Sequence, residues 1–171
     1  MRILAIAAIG TIALLGLWGS ATQGQGGQAG APAAQGAPPA PTDKAAYWPN
    51  ADIQTIWKDL EARQVINRRV MEGGNYSLNI RIVREGDAAL VHAKSCDLWI
   101  TQAGTATAIT GGQLVNPQKR PNADDESGSS IQGGIERPLQ AGDILYVPPG
   151  VPHGFKNLKG FRAFLVRWET K

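Results

Sequence analysis

The chain holds a single cysteine, Cys96, only two histidines, His92 and His153, and few aromatic residues (6%). One thiol excludes an internal disulfide and any cysteine-rich metal knuckle. Charged residues make up 18% of the chain and sum to a net +3, with no block of Lys or Arg. Nothing in that balance offers a nucleic acid a basic face. No glycine-rich phosphate cradle precedes a helix. The longest apolar run, residues 3–18, is shorter than the roughly 20 residues that a membrane-spanning helix needs.

That run nevertheless carries an address. Arg2 precedes it, Gly10, Thr11 and Gly16 interrupt it, and the small residues Gly19, Ser20 and Ala21 follow. A positive start, a short apolar core and a small-residue site outline a secretory signal peptide over residues 1–21. The expectation is export to the periplasm or the extracellular space, with no membrane contact after cleavage. An uncleaved N-terminal membrane anchor is the alternative. No cysteine follows the run, so a lipoprotein anchor is excluded. Residues 22–44, built almost wholly of Gly, Ala, Pro and Gln, show no periodicity and read as a disordered tether. The folded domain is therefore expected over residues 45–171.

Within it, Ile53, Ile56, Trp57 and Leu60 recur at helical spacing, predicting one short helix over about residues 51–63. Asn50 is the expected N-cap and Asp52 suits the first turn. Everything afterwards reads as short strands. SLNIRIVRE alternates Leu78, Ile80 and Ile82 against Asn79 and Arg81, and DAALVHA, DLWITQA, TATAIT, QLVN, SIQGGIERPL, DILYVPP and FRAFLVRWE follow. Turn signals at Glu85-Gly86, Gly104 and Gly111-Gly112 divide them; GGNYS and IQGG also read as turns. Closely spaced strands without intervening helices predict an all-β sandwich or barrel over about residues 77–169. The acidic stretch Asp124-Asp125-Glu126 lacks the spacing of a calcium loop and reads as solvated.

GDILYVPPGVPHGFKN, residues 142–157, is the most specific stretch. Its three prolines cannot donate to a sheet, so they form a rigid corner that aims His153. Gly142, Pro148, Gly150, His153 and Asn157 stand at the spacings of the second motif of the cupin superfamily, which the chain resembles from about residue 77 to 168. The resemblance implies a β-barrel or jelly roll, and a homodimer paired through sheet edges. In the family, the first motif supplies two histidines and a glutamate to a metal. Here GDAALVHAKSCDLWITQAG departs from it. Counting from Gly86 puts His92 in the first histidine place and Lys94 in the second. Counting back from Gly104 puts Asp97 in the glutamate place, His92 in the second histidine place and Leu90 in the first. The second register keeps both spacings and is preferred.

His92, Asp97 and His153 thus make up a two-histidine, one-carboxylate set, which suits iron, manganese or zinc and leaves positions open for water or ligand. The rival is a degenerate site without metal, in which Lys94 pairs with Asp97. Leu90 and Trp99 are candidates to line the cavity. Arg81 joins them if the polar face of its strand points inward; otherwise it faces solvent. Alternation sends Cys96 away from Asp97, and Lys94 is the one base near it, so a packing role is expected for the thiol. Three functions remain open: an exported cupin binding a small molecule; a metal-dependent dioxygenase, isomerase or lyase; and a metal-free structural or oligomerisation module.

Overall fold

The computed structural model describes residues 37–121 and 124–170. The expected signal peptide, and residues 22–36 of the expected tether, lie outside the described residues. One helix, α1 (Asn50–Ala62), precedes eleven strands: β1 (Asn67–Gly73), β2 (Tyr76–Ile82), β3 (Ala89–Val91), β4 (Ser95–Thr110), β5 (Gln113–Val115), β6 (Gln118–Lys119), β7 (Glu126–Gly128), β8 (Ser130–Gln132), β9 (Ile135–Gln140), β10 (Ile144–Val147) and β11 (His153–Glu169). All strand pairings are antiparallel. The all-β barrel with a short N-terminal helix is therefore the fold. No helix among the described residues is long and apolar enough to cross a membrane.

Two strands organise the rest. β4 and β11 run antiparallel along most of their lengths; β11 also pairs β2 and β3, and β4 also pairs β9 and β10. β4 was expected as two strands, DLWITQA and TATAIT, and β11 as FRAFLVRWE alone. β4 stays continuous because Gly104, at φ +71°, forms a bulge rather than a turn. The bulge changes the phase: Asp97, Trp99 and Thr101 are buried before it, Ala106 and Ala108 after it. β11 changes phase in the same way at Asn157 (φ +54°) and Gly160 (φ +59°), so that Phe155, Leu158 and Phe161 all reach one core.

That core fills the barrel with Trp99, Leu139, Leu145, Val147, Phe161 and Leu165, among others. A second core lies outside the sheet, where Trp57 and Leu60 of α1 cover Ile80 and Ile82, and Trp57 stacks on Phe164 at 5.7 Å. Burying side chains of this size contributes about 1.5–3 kcal/mol each. The helix therefore claims the apolar face of β2. Its polar face, Ser77, Asn79 and Arg81, is left to point into the barrel.

Several boundaries differ from expectation. The helix begins one residue early, with Pro49 in the N-cap place and no side-chain cap. β1 was not anticipated; GGNYS closes its hairpin with β2. Ile131 and Gln132, expected in a turn, belong to β8. The ordered domain also starts before residue 45: Ala40 N–H donates to Glu72 O (2.8 Å) and Glu72 N–H to Pro38 O (3.0 Å). The free edge of β1 recruits this stretch because its backbone groups need partners.

Gly104 gives a direct test of the bulge. A Cβ there would meet the backbone oxygens of Lys159 and Gly160, at a φ that L-residues avoid. Gly104→Ala should cost about 2 kcal/mol or more in urea unfolding, whereas Gly86→Ala, which meets nothing within 4 Å, should cost only its backbone strain.

Candidate metal centre

The proline corner links the two halves of the site. Val151 N–H reaches Pro148 O (3.4 Å) across a four-residue turn, with Pro149 and Gly150 (φ +74°) at its centre. This is the residue pattern of a type II turn. Gly150 N–H then donates to His92 O (2.8 Å), and Gly111 N–H to Pro152 O (2.8 Å). His153 enters β11 opposite Leu90. The corner that delivers one histidine is thus hydrogen-bonded to the backbone of the other.

Strand register supplies the carboxylate. Residues directly opposite one another on neighbouring antiparallel strands share a face. Ser77, Arg167, Asp97 and Val147 form one such row across β2, β11, β4 and β10. The Asp97 side chain is 0% exposed, and His92 and His153 are buried above it. Asp97 Oδ2 lies 3.6 Å from His92 Nε2 and 3.4 Å from His153 Nε2. One ligand atom from each residue lies within 4.8 Å of the other two.

The partners of the imidazoles set their tautomers. His92 Nδ1 lies 2.6 Å from Asp125 Oδ2, whose other oxygen accepts Ala93 N–H at 3.0 Å. His153 Nδ1 lies 3.2 Å from Val151 O. Both acceptors require a proton on Nδ1, which leaves each Nε2 unprotonated as a potential ligand atom. His153 Nε2 is buried without a hydrogen-bond partner; its contact with Asp97 is within ionic range but not aligned as a hydrogen bond. Carboxylate or carbonyl acceptors behind histidines are the usual outer support of a metal site. The donor set fits a divalent cation of the iron, manganese or zinc type.

Arg167 is the residue that sequence reasoning missed. Its Nε donates to Asp97 Oδ1 (2.6 Å) and its Nη2 to Asp97 Oδ2 (2.7 Å). Nη2 also lies 2.7 Å from His92 Nε2, which must accept because a guanidinium only donates. A cation already sits against two of the three ligand atoms. The signal was present in FRAFLVRWE: Phe161, Ala163 and Leu165 are buried at alternate positions, and the next inward place is an arginine. Lys94, which the metal-free alternative paired with Asp97, instead reaches Asp124 at 2.7 Å.

Asp125 was missed too. The acidic stretch is not simply solvated: Asp125 supports His92, and Glu126 opens β7. Leu90 is half-buried opposite His153, and Trp99 is buried in the barrel core. Arg81 also faces inward, with its Cζ 5.5 Å from the Trp99 ring centre. Cys96 points the other way, as expected, and packs with Sγ 3.2 Å from the Tyr146 hydroxyl.

Burial alone would raise the Asp97 carboxyl; Arg167's hydrogen bonds and charge outweigh it and hold the group well below the usual carboxylate range. Burial, then the Arg167 charge, lower His92 from its ordinary 6.5, against the opposing pull of Asp97 and Asp125. Both groups bind protons less readily folded than unfolded, so acid favours unfolding. In chelator-treated protein the urea midpoint should stay flat from about pH 8 to 7. It should fall below about pH 6.5 as the unfolded histidine protonates, and again below about pH 4. His92→Gln should flatten the upper part; a midpoint that rises on acidification would contradict this electrostatic picture.

No family model and no curated protein matches the sequence. Among solved structures, a Bacillus halodurans protein is similar at 10% identity and TM-score 0.46, covering 68% of this chain and 79% of its own. A Klebsiella pneumoniae protein with a double-stranded β-helix domain is 24% identical, TM-score 0.40, covering 60% and 74%. A Cupin 2 conserved barrel domain protein of Salinispora arenicola is 18% identical, TM-score 0.37, covering 61% and 75%. Of other matched chains this chain covers 23% to 64% of the length. The likenesses are of shape, and distant. The motif at residues 142–157, seated on the corner that delivers His153, and the antiparallel barrel around β4 and β11 are the features in which this chain resembles the cupin superfamily.

Proposed function

We propose that this chain is an exported cupin that binds a small molecule inside its barrel, at a divalent metal held by His92, Asp97 and His153. The observation that carries the reading is the convergence of two buried Nε2 atoms on one carboxylate oxygen, at 3.6 and 3.4 Å, each imidazole braced from behind through Nδ1. A packing role for the histidines would not need both tautomers turned the same way. A metal bound there would supply a Lewis-acid centre with positions open to ligand. Asp125 keeps His92 in its ligating tautomer, and the Val151 carbonyl does the same for His153. Arg167 balances the Asp97 charge; a metal held by His92 would require Arg167 to release His92 Nε2, and its side chain is 26% exposed.

A second reading follows from the same arginine. A guanidinium bonded to Asp97 and His92 already provides the positive charge that the cluster needs. On that reading the barrel binds its ligand without metal, and a metal-dependent dioxygenase, isomerase or lyase activity falls away.

Elemental analysis and zinc, manganese and iron(II) titrations separate the two. The metal reading expects about one ion per chain, lost in His92→Ala and in His153→Ala. Asp125→Asn should weaken binding by about tenfold or more through the His92 tautomer. Arg167→Met should tighten it by removing the competitor. Wild-type protein that takes up none of the three metals, while unfolding cooperatively, would leave the metal-free reading. Export has its own check: intact mass of protein recovered outside the cytoplasm should begin near residue 22, and a full-length membrane-bound form would favour the anchor.

A further inference from the structure

Arg81 is a cation in the barrel interior with no anion of its own. Its row across the sheet, through Ala163 of β11, ends at Thr101 of β4. The next row contains Asn79, Leu165 and Trp99. Ala163, between Arg81 and Thr101, is the smallest side chain in either row. Arg81 Nε, Trp99 Nε1 and Thr101 Oγ1 are all buried without a hydrogen-bond partner. Trp99 is 3% exposed and Thr101 1%. Among the described residues the guanidinium forms no ion pair. Asp87, a nearby carboxylate, is engaged with Arg84 N–H at 3.0 Å, and Asp97 is held by Arg167.

Arg81 and Arg167 bring two cations to rows where Asp97 is the one carboxylate, and Asp97 is taken by Arg167. Burying an unpaired charge is costly, and burial of three unpartnered polar atoms together is unusual. A water molecule can satisfy a hydroxyl or an indole N–H, but it cannot neutralise a guanidinium. The Arg81 guanidinium, 5.5 Å from the Trp99 ring centre, carries five N–H donors. A carboxylate matches a guanidinium edge in a bidentate pair.

We infer that Arg81, with Thr101 and the Trp99 indole N–H, forms an anion subsite in the barrel, so that the small molecule this protein binds carries a carboxylate. The inference rests on the reading that the barrel receives a small molecule, but not on the presence of a metal. Arg81 retains some solvent exposure, which gives the carboxylate a way in. Burial, then the charge of Arg167, lower the guanidinium to about 10, still charged at neutral pH.

The test uses full-length mature protein stripped with a chelator, titrated calorimetrically with acetate and benzoate and with the isosteric acetamide and benzamide. At least one carboxylate should bind while its amide does not. Arg81→Met should weaken that binding by tenfold or more, Arg81→Lys by less, and Thr101→Val by a few-fold. In anion-free buffer Arg81→Met should melt at a higher temperature than wild type, because an unpaired buried cation has gone; this also shows that the variant folds. Equal binding by Arg81→Met, or no carboxylate binding to stripped wild type, would overturn the subsite and leave the orphaned atoms to water alone. Carboxylate binding that appears only after zinc loading and survives Arg81→Met would place the anion on the metal, overturning the subsite while sparing the metal centre. Failure of metal uptake alone would leave the stripped-protein titration unaffected.

Discussion

Asp97 has its side chain wholly out of solvent, and Arg167 crosses from the neighbouring strand to hold both of its oxygens. A carboxylate in that position is tolerable only if it is paired and hydrogen-bonded. The barrel meets that demand through register: β4 and β11 pair so that residue 97 faces residue 167, and the proline corner sets His153 above them. His92 is drawn into the same cluster and braced by Asp125. Changing any one of these alters the charge state of the others, because every group in the cluster touches Asp97 or a residue that does.

The same register divides β2. Its apolar face is taken by α1 through Trp57 and Leu60, so its polar face turns inward. A barrel usually rejects such a face. Here Asn79 is satisfied, donating to Ser77 Oγ at 3.0 Å and to Leu165 O at 3.2 Å. Arg81 is not satisfied: its Nε is buried without a hydrogen-bond partner. The helix, far from the histidines in sequence and packed on the other side of the sheet, thus determines the polarity of the barrel interior.

Much of this was legible beforehand, because the physics involved is local. The periodicity of Ile53, Ile56, Trp57 and Leu60 marks the helix, and strand alternation with glycine turns marks the barrel. Spacing within residues 142–157 marks the corner and His153. Spacing back from Gly104 likewise selects His92 and Asp97 over Leu90 and Lys94, and the structure brings His92, Asp97 and His153 together. Gly104 itself was misread, since a glycine at positive φ serves a turn or a bulge equally well. β1 carries too little alternation to stand out: NRRVMEG is mostly polar and lies near an edge covered by Pro38 and Ala40.

What the sequence by itself determined is the set of elements and the identity of the buried histidines and carboxylate, since those follow from periods of two and 3.6 and from short fixed spacings. What the tertiary structure alone decided is which charges meet. Asp97 and Arg167 are 70 residues apart, and His92 and Asp125 are 33 apart. No local pattern couples such pairs; strand register and loop closure do. The inward turn of Arg81 likewise depended on α1 covering the opposite face of β2, a choice between two faces that alternation describes but cannot make.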